Sequence, residues 1–447
     1  MQRRDIRSGV ACRMLAMALA CGSATFPEPS RAQDASAEQT SSRSIDDIVD
    51  ALVRQGKADD AAVLLDAIIA ATPDDQQAHF LRGLVATSQG DYRKAIAIFR
   101  AILIDHPEAV RVRLELARAF FLDRDYQNAD RQFRAVRAGD LPPTVKANVD
   151  AFLFQIRQSK NWSYGLSVAL APDTNLNAAS TSREVAIYGL PFKLSDDARK
   201  KSGIGAAVDA NVEWAPRIAP NGRLRIGTGF QRREYGGSTF DDMTLSAQIG
   251  PRFVFPRWDV SLLGTGFRRW YGGNGYAKAA GGRMEAIHYA GSSTVISGSL
   301  GALHLDYDQQ NERDGWVYNA GLGLMRQLDQ TSAASLKLGV NRQDADAAAY
   351  RNWSGIIGAG YFRELPEGFS VYIEPSYAFA KYDAALPAFP EVRSDKIVSA
   401  TAAVLNRRIV LSRFTPRIAY TFTHMNSSIN LYDYDRHRIE VGLTTAF

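Results

Sequence analysis

Cysteine is nearly absent: the 447-residue chain has two, Cys12 and Cys21, both in its first 21 residues. That opening reads as a secretory signal. Arg3, Arg4, Arg7 and Arg13 form its positive end, Met14 to Ala20 its apolar core, and Ser30-Arg31-Ala32 a small-x-small cleavage site before Gln33. Cleavage there leaves a cysteine-free mature chain, which excludes disulfide staples, Cys-ligated metal and a thiol nucleophile together. The rival reading makes Cys21 the acylated residue of a lipoprotein signal, but Leu19 then stands one position off the usual pattern.

Long apolar runs are missing too. No mature segment offers about 18 consecutive apolar residues, so a helical membrane span is excluded, whereas a strand-built one is not. Charge of one sign is also scarce. The net charge of +5 owes much to residues 1 to 32, whose five arginines and two acids leave +2 when removed, and this argues against nucleic acid as a partner. An apolar content of 46% excludes disorder, and the length calls for two or more folded units.

Catalytic signatures are likewise thin. His79, His106, His288, His304, His424 and His437 are scattered, with no His-x-x-x-His pair and none in a nucleophile pattern with serine. His304 with Ser297 or Ser299 is the one conceivable pairing. Tyr432-Asp433-Tyr434-Asp435 has two acids on one strand face, for which a turn or an interstrand cation is a cheaper explanation than a metal. No Gly-rich phosphate loop is tied to a strand-turn-helix unit. The expectation is no enzyme activity, no cofactor and no metal.

Composition shifts near residue 160. All six tryptophans, 29 of 35 glycines and 16 of 18 tyrosines follow it, while residues 45 to 160 are rich in Ala, Leu, Arg and Asp. Residues 33 to 44 read as a polar leader. The helical part repeats every 34 residues: Gly56 and Gly90; Ala61, Ala95 and Ala129; Pro73 and Pro107; Phe99 and Phe133. Gly90-Asp91-Tyr92 is echoed by Arg124-Asp125-Tyr126, and Gly83 and Ala117 hold the small position of the first helix. This is tetratricopeptide (TPR) spacing, with small residues where paired helices cross and an aromatic plugging the seam. Residues 143 to 158, after Pro142-Pro143, read as a solvating cap helix. On this register Phe80, Leu84, Arg111, Arg118 and Phe121 face or border a concave client-binding groove; the competing reading makes Phe and Leu core and Arg a solvated face.

Residues 161 to 447 alternate with period two. Ile204 to Trp214, Trp316 to Leu324, Ala334 to Val340 and Phe369 to Phe379 each carry one apolar face, with aromatics near the ends of the runs as interface girdles. Fourteen strands are expected, starting near 162, 203, 222, 240, 257, 281, 294, 315, 331, 350, 368, 395, 415 and 435. Short connections such as 216–222 and 365–368 interleave with longer ones such as 272–281, 308–315 and 381–394. An even strand number with unequal ends predicts an antiparallel outer-membrane β-barrel following the periplasmic TPR domain. Asp209, Glu213, Arg223, Arg225, Gln231, Lys337, Asn341 and Glu374 should face its lumen. Ile439, Val441, Leu443, Thr445 and the terminal Phe447 resemble the signal read by the barrel-insertion machinery.

The chain resembles the surface lipoprotein assembly modulator (Slam) family. Leu114-Glu115-Leu116-Ala117-Arg118-Ala119 with Phe121, and Leu141-Pro142-Pro143, are similar to that family's TPR segment. Asp173-Thr174-Asn175-Leu176-Asn177 resembles its Asp-x-Asn-x-Asn element, and Asn430-Leu431-Tyr432-Asp433-Tyr434-Asp435-Arg436 with Gly442-Leu443 its C-terminal signature. The resemblance implies an outer-membrane translocator of surface lipoproteins or soluble secreted clients. The TPR domain would hold the client or its chaperone, and the barrel would give the route, aided by a weak seam between first and last strands, since Pro172 limits pairing there. The implied partners are the client, a periplasmic chaperone, the insertion machinery and outer-membrane lipid. An exopolysaccharide export porin, with a luminal stripe of cations or stacked aromatics, and a passive porin with an envelope-binding TPR domain are the alternatives.

Overall fold

The computed structural model describes residues 36–188, 190–195, 199–291, 293–411 and 414–445, so the secretory signal, its cleavage site and Phe447 lie outside the described residues. The chain divides into two compact units, residues 1–57 and 58–447. In the first, helix α1 (Ser36–Arg54) takes in most of the expected polar leader, because Ser36 to Ser44 holds neither Pro nor Gly to stop a helix. It ends where Gly56 adopts φ 75°. A β-carbon on Gly56 would meet nothing within 4 Å, so this residue reverses the chain and does not form a helix-crossing contact as expected.

The second unit begins with helices α2 (Ala58–Ala71), α3 (Gln76–Ser88), α4 (Tyr92–Asp105), α5 (Val110–Leu122), α6 (Tyr126–Arg137) and α7 (Pro143–Ser159). Asp75, Asp91 and Asp125 cap α3, α4 and α6 by accepting the backbone N–H of Ala78, Lys94 and Asn128. The small residues of the repeat are where they were expected. Ala61, Ala95, Ala117 and Ala129 are wholly buried, as are Phe99 and Phe133. Phe99 lies so close to Gly83 that a β-carbon there would stand 2.4 Å from its ring. Phe133 stacks on Phe152 of α7 with centroids 4.9 Å apart, which carries the repeat core into the last helix.

Among the described residues, fourteen antiparallel strands close into a barrel: β1 (Trp162–Asp173), β4 (Gly203–Trp214), β5 (Gly222–Tyr235), β6 (Asp242–Val254), β7 (Trp258–Tyr271), β8 (Asn274–Ala290), β9 (Thr294–Tyr307), β10 (Gly315–Gln327), β11 (Ser332–Ala345), β12 (Asn352–Glu364), β13 (Phe369–Tyr382), β14 (Ser394–Asn406), β15 (Thr415–Ser427) and β16 (Tyr434–Thr444). A two-stranded hairpin, β2 (Glu184–Ile187) with β3 (Leu190–Lys193), belongs to the loop after β1. Strand starts fall within two residues of expectation except for β8. The stretch 272–281, read as a long polar loop, is a tight turn: Gly272 and Gly273 take φ 58° and 77°, and β8 starts at Asn274. Both central residues in the left-handed region suit the twist of a two-residue hairpin, which Gly-Gly supplies without strain.

Leu170, Ile204, Leu262, Leu300, Leu322, Ile373 and Ile418 are exposed on the outer wall, as a lipid-facing band requires. Trp162, Trp214 and Trp258 flank the band at the end where α7 enters, and Trp316 and Trp353 at the other. No described helix is long and apolar enough to cross a membrane. Below, the near mouth is the end joined to the helices and the far mouth the opposite one.

Candidate functional site

The helices are fastened to the near mouth by a set of arginines, all but Arg408 of them partly or wholly buried. Arg113 of α5, 1% exposed, donates to Gln132 Oε1 at 2.8 Å, to the carbonyl of Pro107 at 2.5 Å and to Glu364 Oε2 at 2.7 Å, at the end of β12. Arg407, in the turn after β14, donates to the same Glu364 oxygen at 3.1 Å. Nearby, burial lowers the Arg131 guanidinium to about 10, against the opposing pull of Glu364. Asp105 pairs with Arg408 at 2.8 Å. On the other side, Arg223 donates to Ala215 O at 2.8 Å and to Gln158 O and Asn161 Oδ1. Arg157 of α7 donates to Pro256 O at 2.7 Å and lies 4.0 Å from Asp259. α7 is therefore no solvating cap. Its Val149, Ile156 and Arg157 are buried, against the repeat core and the barrel turn.

The expected groove residues separate. Phe80 is 4% exposed in the core, and Arg111 stacks over its ring at 4.9 Å beside a small cavity lined also by His106 and Glu108. Leu84 and Phe121 pack against the core; the Phe121 ring meets Tyr126 and Phe152 edge-on. Arg118 is tied to Glu115 one turn earlier, at 2.8 Å. Of the five, Arg111 and Phe80 share a surface feature, and the other three are occupied in packing or an intrahelical pair.

Inside the barrel the expected polar residues form charge-balanced clusters. Arg225 bridges Glu213 (2.8 Å) and Glu285 (2.7 Å), Arg233 meets Asp209 at 3.0 Å, and Lys337 meets Glu374 at 2.6 Å. Asn341 donates to Ser354, and Gln231 lines a luminal cavity with Asp209. Arg223 is the exception, drawn to the near mouth as above.

At the far mouth, tyrosines alternate with arginines in a belt that sequence reading missed. Arg269 lies 5.0 Å from the Tyr276 ring, Arg313 4.3 Å from Tyr307 and 5.7 Å from Tyr350, and Arg393 3.5 Å from Tyr432 and 4.8 Å from Tyr382. The parity of each residue on its strand would have shown that Tyr271, Tyr307, Tyr382 and Tyr434 all point inward.

Among the described residues, the seam between β1 and β16 has the fewest paired positions in the barrel. It runs over Ser167–Leu170 against Val441–Thr444 and resumes at Asp173 with Arg438, skipping Pro172. Thr445 closes the described part of its near end by donating N–H to Leu166 O at 3.0 Å, and Trp162 to Gly165 pair with Asn211 to Trp214 of β4. The Asp-x-Asn-x-Asn element clamps the far end. Asp173, fully buried, accepts two bonds from Arg436 at 2.8 and 2.6 Å. Asn175 reaches Asp435 O, Thr174 accepts from His437 N–H, and Ser180 donates to Asn430 O. The long loop then passes over to the β13–β14 connection, where Tyr188 N–H donates to Ala388 O. Ile439, Val441 and Leu443 thus sit in the seam strand. His304 pairs on the outer wall with Trp316 and Asp306, whereas Ser297 and Ser299 face the lumen, which undoes that catalytic pairing. Asp433 accepts Ser427 N–H, and Asp435 pairs with His424 at 2.7 Å, so both acids of the C-terminal motif are already used.

A helical repeat domain fastened over one mouth of a closed fourteen-stranded barrel with an apolar outer band defines a TPR-bearing outer-membrane barrel protein. Residues 162–447 match the surface lipoprotein assembly modifier family and residues 38–133 match its N-terminal TPR repeats, and the chain belongs to that family. It is similar to surface lipoprotein assembly modifier 1 of Neisseria meningitidis serogroup B, at 23% identity over 84% of this chain and 77% of the relative. It is also similar to the hemophilin secretion modulator of Acinetobacter baumannii, at 22% identity over 82% and 78%, and to a surface lipoprotein assembly modifier of Pasteurella multocida, at 21% over 86% and 79%.

Proposed function

We propose that this protein delivers a surface lipoprotein, or a related secreted protein, across the outer membrane, without a covalent step. The helical repeats stand on the periplasmic side, where they receive the client or its chaperone, and the barrel, placed by the insertion machinery, provides the route. The observation that carries the reading is the docking of the repeat domain across the near mouth by the Arg113–Glu364–Arg407 and Arg157–Asp259 groups, since helices held at the entrance to the lumen suit a domain that receives a client. The interruption of the β1–β16 ladder at Ala171 and Pro172, among the described residues, supports a barrel that widens sideways there.

The test is co-expression with a candidate surface lipoprotein in a bacterium lacking both. The client should become protease-accessible on intact cells only when this chain is present; equal exposure without it refutes the reading. The inward Tyr–Arg belt is the observation that suits polysaccharide export instead. Export of an acidic glycan with no effect on lipoprotein display would establish that reading.

A further inference from the structure

Between its two groups of latches the helical domain does not seal the near mouth. A cavity of about 450 Å³ opens between α6–α7 and the inner ends of β8, β9 and β10. One wall is cationic, with Arg134, Arg137, Arg157 and Arg257. Arg134 and Arg157 both lie over the Tyr289 ring, at 5.1 and 3.9 Å from its centre, and the Tyr289 hydroxyl donates to Asp259 at 3.1 Å. Arg134 and Arg137 have carboxylates in Asp130 and Asp150. Arg157 is less fully met: its side chain is 7% exposed, its buried Nε has no hydrogen-bond partner among the described residues, and its carboxylate, Asp259, stands 4.0 Å away. The guanidinium of Arg257, in the exposed turn between β6 and β7, has no partner among the described residues.

The other wall is apolar. Phe154 of α7 lines it together with Val295 and Met325, which are cross-strand neighbours on β9 and β10, and Met325 is exposed there. A buried unpaired cationic atom beside uncovered apolar surface is costly in the empty state. A ligand that brings carboxylate and apolar groups together removes both costs.

Resting on the translocator reading, we propose that this cavity is the entry port for the client, and that it takes an extended polypeptide segment bearing acidic side chains next to apolar ones. The cation-rich wall fixes the sign of that charge, and the cavity's position, bounded by α6 and α7 outside and by luminal strand faces inside, fixes the direction of travel. The Phe154–Met325 strip provides sequence-tolerant contact of the kind a passing chain requires, since neither residue imposes hydrogen-bond geometry.

The test places a photoreactive phenylalanine at Phe154 or Met325 in the full chain, in cells displaying a lipoprotein client, with lipid-facing Leu322 as the control position. Client adducts should form from Phe154 and Met325 and not from Leu322. Arg257→Glu should lower surface display about tenfold, the loss of one charge-assisted contact, whereas Arg257→Lys should keep most of it. Heat-modifiable migration verifies the folded barrel, and the photoadducts, formed with Arg257 intact, decide the matter if Arg257→Glu misfolds. Full display with no adduct at either position, or with Arg257→Glu unimpaired, overturns the port and leaves the translocator reading standing. Absence of client-dependent display from the unaltered chain refutes the translocator reading itself.

Discussion

Replacing Glu364 with Gln should undock the helical domain without unfolding the barrel. Glu364 is the single carboxylate between two guanidiniums, with Oε2 at 2.7 Å from Arg113 and 3.1 Å from Arg407. At an effective dielectric of about 20 the closer pair attracts with roughly 6 kcal/mol, most of it offset by taking the charges out of water. Removing one member of such a pair costs about 3 kcal/mol, because the buried cations stay behind uncompensated, and that is roughly a 100-fold loss in the docking equilibrium. Arg113→Met should cost a similar amount, and the double variant less than the sum of the two. Docking can be read by cross-linking cysteines placed at Gly139 and Gln330, which approach so closely that a β-carbon on Gly139 would lie 2.2 Å from the Gln330 amide nitrogen. Both native cysteines fall within the first 21 residues, in the stretch read as a cleaved signal, so the engineered pair reports cleanly. An undiminished cross-link in Glu364→Gln, with heat-modifiable migration intact, would show that this carboxylate does not hold the two parts together.

In the repeat, Gly83→Ala should destabilise the helices by about 1–3 kcal/mol, since the Phe99 ring leaves no room for a methyl group; helical circular dichroism on heating measures it. Arg124→Gly should do the reverse, by about 1 kcal/mol. Arg124 holds φ 63° at the position where the preceding repeat uses Gly90, and an unchanged melting temperature would refute the strain. At the seam, Asp173→Asn should raise proteolysis of the loop after β1, because Arg436 loses its buried partner; unaltered cleavage would show that the loop is held elsewhere. In Asp66, the hydrogen bond from Arg82 holds the carboxyl below its ordinary 3.8 despite some burial. Its contribution is therefore present above pH 3.8 and lost as pH falls below it, and Asp66→Asn should flatten that part of the pH-stability curve.

The strands were legible because lipid on one side and water or ion pairs on the other force a period of two, and a one-residue slip would expose the whole set to the wrong solvent. The 34-residue repeat was legible because Gly83 and Ala117 must be small where helices cross. What escaped depended on partners far away in sequence. Arg113 reads like any helical arginine until β12 brings Glu364 to it, 251 residues later. Phe80 and Phe121 could equally line a groove or fill a core, and the neighbouring Phe99 and Phe152 rings settle it toward core. The Gly272-Gly273 turn was hidden by glycines that suit a loop as well as a hairpin. These long-range features also connect the two halves of the molecule mechanically. α7 ends at Ser159 and β1 begins at Trp162, so any shift of α7 away from the mouth is absorbed by residues 160–161 or passed into β1. β1 is the seam strand, and among the described residues its ladder with β16 is interrupted at Ala171 and Pro172, so the helical domain pulls on the strand that borders this interrupted ladder.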